Sequence, residues 1–315
     1  MNSNYVIIPD ANCDLPKELR EKLNIPDIVR GIVYFPDGHS ELQDLEWQNI
    51  SAHDFYHSMR NKNVIYKSAT PPAGEIEEVY EKYLSQGMDI LSMSISTGLS
   101  STQNDCQVVA DELLKKYPER KIICLDTLRF VGGYALLVKM AAEKQAAGAT
   151  MEEVADYINT ERHRVHQTGT MDDLFFLVKS GRISNFKAFF GSMVGLKLIA
   201  EINQVGMSEV IAKFKGARDA MTANIEYIKQ TIQNPEEQTI IISNSDRHEL
   251  ADLFAEQIRK EIKPKDVMIL EVGQGSGVNI GPGLCAAYYL GAPTSENLEK
   301  EKAVMAEIEK QIKGK

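Results

Sequence analysis

Ile90-Leu91-Ser92-Met93-Ser94-Ile95-Ser96-Thr97-Gly98-Leu99-Ser100-Ser101-Thr102 is the stretch that decides the fold class of this chain. Ile90, Leu91, Met93 and Ile95 make its first half an apolar, strand-like run. Residues 96–102 then hold five hydroxyls and a glycine, and a helix-like run with Val108, Val109, Leu113 and Leu114 follows. A strand that breaks into hydroxyls and opens a helix leaves backbone N–H groups and short O–H donors aimed at one spot. That is a receptor for an anion or a carboxylate. No acid, base or metal ligand lies inside the segment, which suits holding better than converting.

Upstream, Val6-Ile7-Ile8 reads as a first strand stopped by Pro9-Asp10. Asp14 is expected to cap a helix with Pro16 near its first turn and Leu19 and Leu23 on one face. Ile28 to Phe35 is rich in β-formers and ends at the turn Pro36-Asp37-Gly38. Ser51 caps a helix carrying Phe55 and Met59, and Pro72 opens one with Ile76, Val79, Tyr80 and Tyr83 at helical spacing. Downstream of 90–95 come a helix at 102–116, a strand at 121–125 and a helix from about 131 to 148. Apolar strands alternating with helices predict a mostly parallel sheet with helices on both faces. Asp10, Thr97 and Asp126 each fall just past the C-terminal end of a strand, where ligands bind in open α/β sheets.

Thr150 starts a further helix, and the pattern then changes. A helix over 172–179 leads into Ser180-Gly181-Arg182-Ile183-Ser184. The β-like runs 196–202 and 208–214 flank Asn203-Gln204-Val205-Gly206 and read as a hairpin. A helix at 216–233, a strand at 239–243, a helix at 247–262, a strand at 266–271 and a short helix at 284–290 follow. The expected architecture is α/β in two domains. Residues 1–163 form the parallel one, and residues 164–293 form an α+β domain with a mixed or antiparallel sheet. A Lys/Glu-rich C-terminal helix covers 294–315, with Leu298, Ala303, Met305 and Ile308 on a narrow apolar face.

A length of 315 residues fits two domains at ~100–200 residues each. A net charge of −10 and a pI near 5.2 disfavour broad binding to a nucleic-acid backbone. No apolar stretch is long enough to cross a bilayer, so no stable membrane insertion is expected. Residues 1–9 show no basic segment followed by a long apolar run, and no secretory leader is read. Cys13, Cys106, Cys124 and Cys285 are scattered without a C-x-x-C and read as reduced thiols of a cytoplasmic protein. There is no H-E-x-x-H, and His163 and His166, which could share a helix face, lack the further ligands a metal site needs and read as a solvated face. There is no G-x-S-x-G either. No catalytic residues, metal or cofactor are assigned.

Four segments admit two readings each. Ser68-Ala69-Thr70-Pro71-Pro72 either caps a helix or brings a second hydroxyl cluster to the ligand of the first. Gly273-Gln274-Gly275-Ser276-Gly277 with Asn279-Ile280-Gly281-Pro282-Gly283 is either an anion cradle or a close backbone approach at a domain interface. The cradle reading carries an alternative function, an enzyme acting on a phosphorylated or acylated small molecule. Residues 180–184 form either a helix C-cap with a surface Arg182 or a docking point, and Lys213, Lys215 and Arg218 either a solvated face or an anion site. Asp10, Asp14 and Asp126 serve acid–base chemistry only if they converge in space.

In order, Asp10-Ala11-Asn12-Cys13-Asp14-Leu15-Pro16, Ser68 to Pro72, Ser96 to Thr102, Asp126-Thr127, Asp172-Asp173-Leu174 through Ser184, and Gly281-Pro282-Gly283 resemble the motifs of the DegV family of fatty-acid-binding proteins. The resemblance spans about residues 5–290. It implies two α/β domains with a long-chain fatty acid buried between them, its carboxylate held by hydroxyls that fall on Ser68 and Ser100. Ser96 and Thr97 belong to the same hydroxyl motif. A family histidine falls on Asn279 and a family arginine on Lys215. The resemblance also implies a non-enzymatic carrier that presents the acid to a fatty acid kinase; a further reading is a divergent member kept for protein–protein contact, with Arg182 and neighbouring basic residues docking the kinase. Departures are Ala69 for a motif hydroxyl, Ser101 for a glycine, Leu198 for a proline and Asn279 for the histidine. A divergent member binding a different lipid is the alternative these departures leave. Asn279 is expected to donate two neutral N–H bonds to the headgroup, with Lys215 compensating for the lost charge. Phe175, Phe176, Phe186, Phe189, Phe190, Met193 and Leu196 are candidates for the tail pocket, or plain core.

Overall fold

A computed structural model describes residues 4–172, 174–184 and 196–314. Its first half runs β1 (Tyr5–Pro9), α1 (Lys17–Lys22), β2 (Ile32–Tyr34), β3 (Ser40–Leu42), α2 (Ala52–Met59), β4 (Lys67–Ala69), α3 (Ala73–Leu84), β5 (Asp89–Ser94), α4 (Thr102–Lys116), β6 (Ile122–Asp126), α5 (Val131–Ala146) and α6 (Met151–Glu161). The second half runs β7 (Val165–Met171), α7 (Phe175–Ser180), β8 (Ile183–Ser184), β9 (Leu196–Ile202), β10 (Ser208–Lys215), α8 (Ala217–Thr231), β11 (Thr239–Asn244), α9 (His248–Glu261), β12 (Asp266–Glu271), α10 (Gln274–Ile280), β13 (Leu284–Leu290) and α11 (Glu299–Lys313).

β1, β5 and β6 form the expected parallel sheet, in the order β1-β5-β6. Period-two alternation splits their side chains between two cores. Val6, Ile8 and Ile90 pack with Tyr80 of α3 and Cys106 and Ala110 of α4, while Ile7, Leu91 and Met93 face α5 on the other side. β2, β3 and β4 make a small antiparallel sheet beside it.

The second sheet is mixed, as expected, in the order β12-β11-β13-β7-β9-β10-β8. Its outer pairs β11–β12 and β8–β10 are parallel, and the pairs between them antiparallel. Its back face is covered by helices. Ile240, Ile242 and Tyr289 pack with Ile228, Phe254 and Ile258, and Ile199 and Phe214 with Tyr227, Met305 and Ile308. Its front face contributes Met171, Leu198, Val210, Ala286 and Tyr288 to the same core as Ile7 and Leu91. α5 lies between the two sheets and packs on β1, β7, β11 and β13. That position explains why it is apolar nearly all round rather than on one stripe.

Three local expectations are corrected. Asp14 does not cap α1. Pro16 precedes that helix, and Asp14 sits in a left-handed conformation (φ 54°) with its carboxylate on the Gly273 N–H. Residues 284–290 are a strand, not a helix. Hydrogen-bonded neighbours on both sides override the helix preference of Ala286 and Ala287. Residues 274–280, read as loop, are helical. The C-terminal helix packs on α8 and β10 through Met305 and Ile308, while Ala303 is exposed.

Candidate functional site: a cavity between the two halves

A cavity of about 240 Å³ lies against the front face of the mixed sheet and is closed by the N-terminal half. Its floor follows from strand register. Leu284, Met171 and Leu198 form one row across neighbouring strands. Ala286 and Gly169 are paired in the next, with Ala200 and Val210 alongside, and Tyr288 and Gln167 are paired in the row after that. The middle row is made of small residues, so the floor is a trough with apolar sides. Pro71, Ile95, Leu99 and Phe130 cover it from the N-terminal half, and Leu174, Leu177, Ile183 and Ile280 close its side.

Hydroxyls gather at this cavity from two segments. Ser68 and Thr70 come from β4 and the residues after it, and Ser100, Ser101 and Thr102 from the entrance to α4. The Ser68 cluster does not cap α3, whose N-terminus is formed by Pro72 without a side-chain bond. Asn279 Nδ2 donates to Ser68 Oγ (3.1 Å) and to the Gly275 carbonyl (3.2 Å). Both amide hydrogens are therefore engaged inside the protein, which corrects the expectation that they point at a headgroup. Ser68 accepts from Asn279 and keeps its own hydroxyl hydrogen to donate. Ser100 Oγ lies 2.9 Å from Thr102 Oγ1 and accepts from the Thr102 N–H (3.3 Å), so this pair also has a hydrogen to offer. Ser101 makes no side-chain cap at the start of α4, leaving the positive end of that helix beside the cavity.

The remaining expected residues are distributed differently. Thr97 is turned away from the cavity, with its N–H and hydroxyl both bonded to the Asp126 carboxylate. Ser96 is fully buried and accepts from the Gly98 N–H (3.1 Å). Lys215 stands at the exposed end of β10, paired with Leu196, and is not among the cavity residues, so it does not supply the charge lost with the histidine. Arg182 lines the cavity, because Gly181 (φ 71°) ends α7 and turns the chain back toward it. Among the described residues it is the one cation there. Of the tail candidates, Phe175, Phe176 and Leu196 do not line the cavity, and Phe186, Phe189, Phe190 and Met193 lie outside the described residues, as does Asp173.

Sequence reasoning missed Asn12, Gln43, Gln167 and Tyr288, all of which line the cavity. Asn12 was within reach, because it sits inside a motif already quoted. Its side chain donates to Asp10 (2.8 Å) and accepts from Gln43 (3.3 Å) and Ser276 (3.2 Å). The three aspartates do not converge as a catalytic set. Burial pushes the Asp10 carboxyl up to about 6, against the pull of the N–H groups of Ile95 and Asn12, which it anchors. Asp14 holds Gly273 N–H (3.0 Å), and Asp126 holds the N–H groups of Thr97 and Leu128. Among the described residues no group of three or more His, Cys, Asp or Glu could hold a metal ion.

The glycine-rich run is a close approach between the halves. A Cβ on Gly275 would collide with Gln43 Nε2, and one on Gly277 with the Tyr56 hydroxyl. The Gly273 N–H, which an anion cradle would need open, faces Asp14 instead.

Over residues 4–291 the sequence matches the family profile described as "Uncharacterised protein, DegV family". The chain belongs to the DegV family. A DegV domain-containing protein of Clostridium perfringens is 30% identical over 287 residues, covering 91% of this chain and 97% of that one. The solved structure of a DegV family protein from Thermus thermophilus, described as binding fatty acid, superposes with a TM-score of 0.82 at 21% identity, covering 91% of this chain and 99% of that one. A stearic acid-binding protein from Eubacterium ventriosum superposes with a TM-score of 0.81 at 18% identity, covering 91% and 98%. The two-domain DegV architecture read from the six segments is thereby borne out. No helix among the described residues is long and apolar enough to cross a membrane.

Proposed function

We propose that this DegV protein binds one long-chain fatty acid in the cavity, with the carboxyl at Ser68 and Ser100 and the acyl chain along the trough of Gly169, Ala200 and Ala286. The observation that carries this reading is the cavity itself: apolar walls, a floor of small residues, and hydroxyl donors converging from both segments. Apolar transfer contributes about 0.8 kcal/mol per buried CH₂. A hydroxyl hydrogen bond to a carboxylate contributes about 1.5–3 kcal/mol, less than a few buried methylenes. The chain therefore supplies most of the affinity, and the hydroxyls orient the acid. Nothing in the donor set favours bond-making or bond-breaking, so the protein acts as a carrier without a catalytic step. Four free thiols, three of them buried and Cys124 half-buried, fit a reducing cytoplasm. By family resemblance, the carrier presents its acid to a fatty acid kinase, and the division at residue 163/164 marks the two bodies that hold the ligand between them.

Organic extraction and mass spectrometry of the purified protein test the reading, followed by reloading with octadecanoic acid. A long-chain acid at one per chain is expected. Ser68→Ala with Ser100→Ala together weaken octadecanoic acid binding about ten-fold or more, from the loss of two neutral donors. A chain that carries no acid and takes none up overturns the reading. Unchanged affinity in the double variant overturns the headgroup assignment alone.

A further inference from the structure

We propose that the acyl chain this cavity is built for carries a hydroxyl group, gripped by Tyr288 and Gln167. The inference rests on the fatty-acid reading above and narrows its ligand class. Tyr288 and Gln167 face each other directly across β13 and β7, so their side chains share the front face of the sheet. Both line the cavity, and both are almost wholly removed from solvent, at 0% and 5% exposure. Gln167 Nε2 donates to Ser208 Oγ (3.3 Å). Its Oε1 and the Tyr288 hydroxyl have no hydrogen-bond partner among the described residues.

Buried polar atoms are nearly always paired, and leaving one unpaired is costly. Here two of them belong to residues paired across neighbouring strands and both lining the same cavity, in a wall whose neighbouring rows are Leu, Met, Ala and Gly. Their chemistry is complementary. Gln167 Oε1 only accepts, and the Tyr288 hydroxyl, which has a hydrogen to give, donates. A methylene chain satisfies neither. A keto oxygen accepts from Tyr288 and gives nothing to Gln167. An alcohol accepts from one and donates to the other. Burial also holds the Tyr288 phenol well above its usual range, so it remains a donor at any physiological pH.

Displacement titration of the delipidated full chain with octadecanoic acid and a panel of its monohydroxylated isomers tests the proposal. At least one isomer is expected to bind about ten-fold tighter than octadecanoic acid. In the isosteric double variant Tyr288→Phe with Gln167→Met, that ratio collapses to near one. The proposal is overturned if no isomer outbinds octadecanoic acid in the unsubstituted protein, the result expected if ordered water satisfies the two groups. It is also overturned if the preference survives in the double variant. Failure of octadecanoic acid and every isomer to bind would instead remove the fatty-acid reading on which the proposal stands.

Discussion

Asn279 stands where the family resemblance places a histidine, and the side chain has turned from ligand donor to support, bonded to Ser68 and Gly275. Sequence could name the position but not this outcome, because an amide bonds whichever carbonyl or hydroxyl the backbone brings within reach. His166 shows the same limit: read as part of a solvated helix face, it is buried in β7 on the back face of the mixed sheet. Its Nδ1 lies 2.8 Å from Glu201 Oε2 and its Nε2 lies 2.8 Å from the Ala292 carbonyl. Glu201 already accepts from Tyr227 (2.9 Å) and from the N–H groups of Gln167 (2.6 Å) and Ile202 (2.8 Å). With acceptors on both sides, a ring that donates from both nitrogens, an imidazolium, satisfies this geometry. Burial pulls its pKa down, but the Glu201 charge and the two bonds outweigh burial and raise it above the ordinary value. A raised folded-state value means the contribution is fully present below the unfolded imidazole's ~6.5 and fades as pH climbs through the folded value. The urea midpoint is therefore expected to fall as pH is raised from about 6.5 upward, and His166→Gln to flatten that decline. A flat profile in the unsubstituted protein would contradict the imidazolium.

At the level of elements, strands and helices with strong periodicity were legible from sequence. β1, β5, β6 and the helices between them fell where the apolar spacing put them. Leu284 to Leu290 did not. Its alanines and tyrosines carry no clear period, and only pairing to β7 and β11 makes it an interior strand of a sheet. The glycines at 275 and 277 were ambiguous for a related reason, since a close packing partner is invisible until the chain has folded. The floor of the cavity depends on such partnerships, because Gly169, Ala200 and Ala286 come from three strands. Filling that trough is the direct test of where the acyl chain lies. Ala200 is half-buried and its side chain borders open space, so Ala200→Phe is expected to enter the cavity and weaken octadecanoic acid binding at least 100-fold, on the order of 3 kcal/mol. Calorimetric titration reads the affinity, and a circular dichroism melt checks that the variant folds. Retained affinity would move the acyl chain elsewhere.

Across the whole molecule, the front face of the mixed sheet, α5 and the inner face of the parallel sheet form one continuous apolar core. The two halves were separable in the sequence by their strand–helix rhythm, but their shared core was not, since it joins residues as distant as Ile7 and Tyr288. A single cooperative melt is expected, and a ligand that binds only the folded state raises its midpoint. Under the proposed function, removing a bound acid should lower the melting temperature by several degrees, and octadecanoic acid should restore it; two separate transitions would argue that the halves unfold independently.

The bond from Asn279 to Ser68 joins α10 to β4, and so does more than steady one hydroxyl. It ties the C-terminal half to the N-terminal half beside the cavity. Any motion that drew α10 away from β4 would break this bond and leave the Ser68 hydroxyl without its support, so the grip proposed for the acid and the contact between the halves share one hydrogen bond.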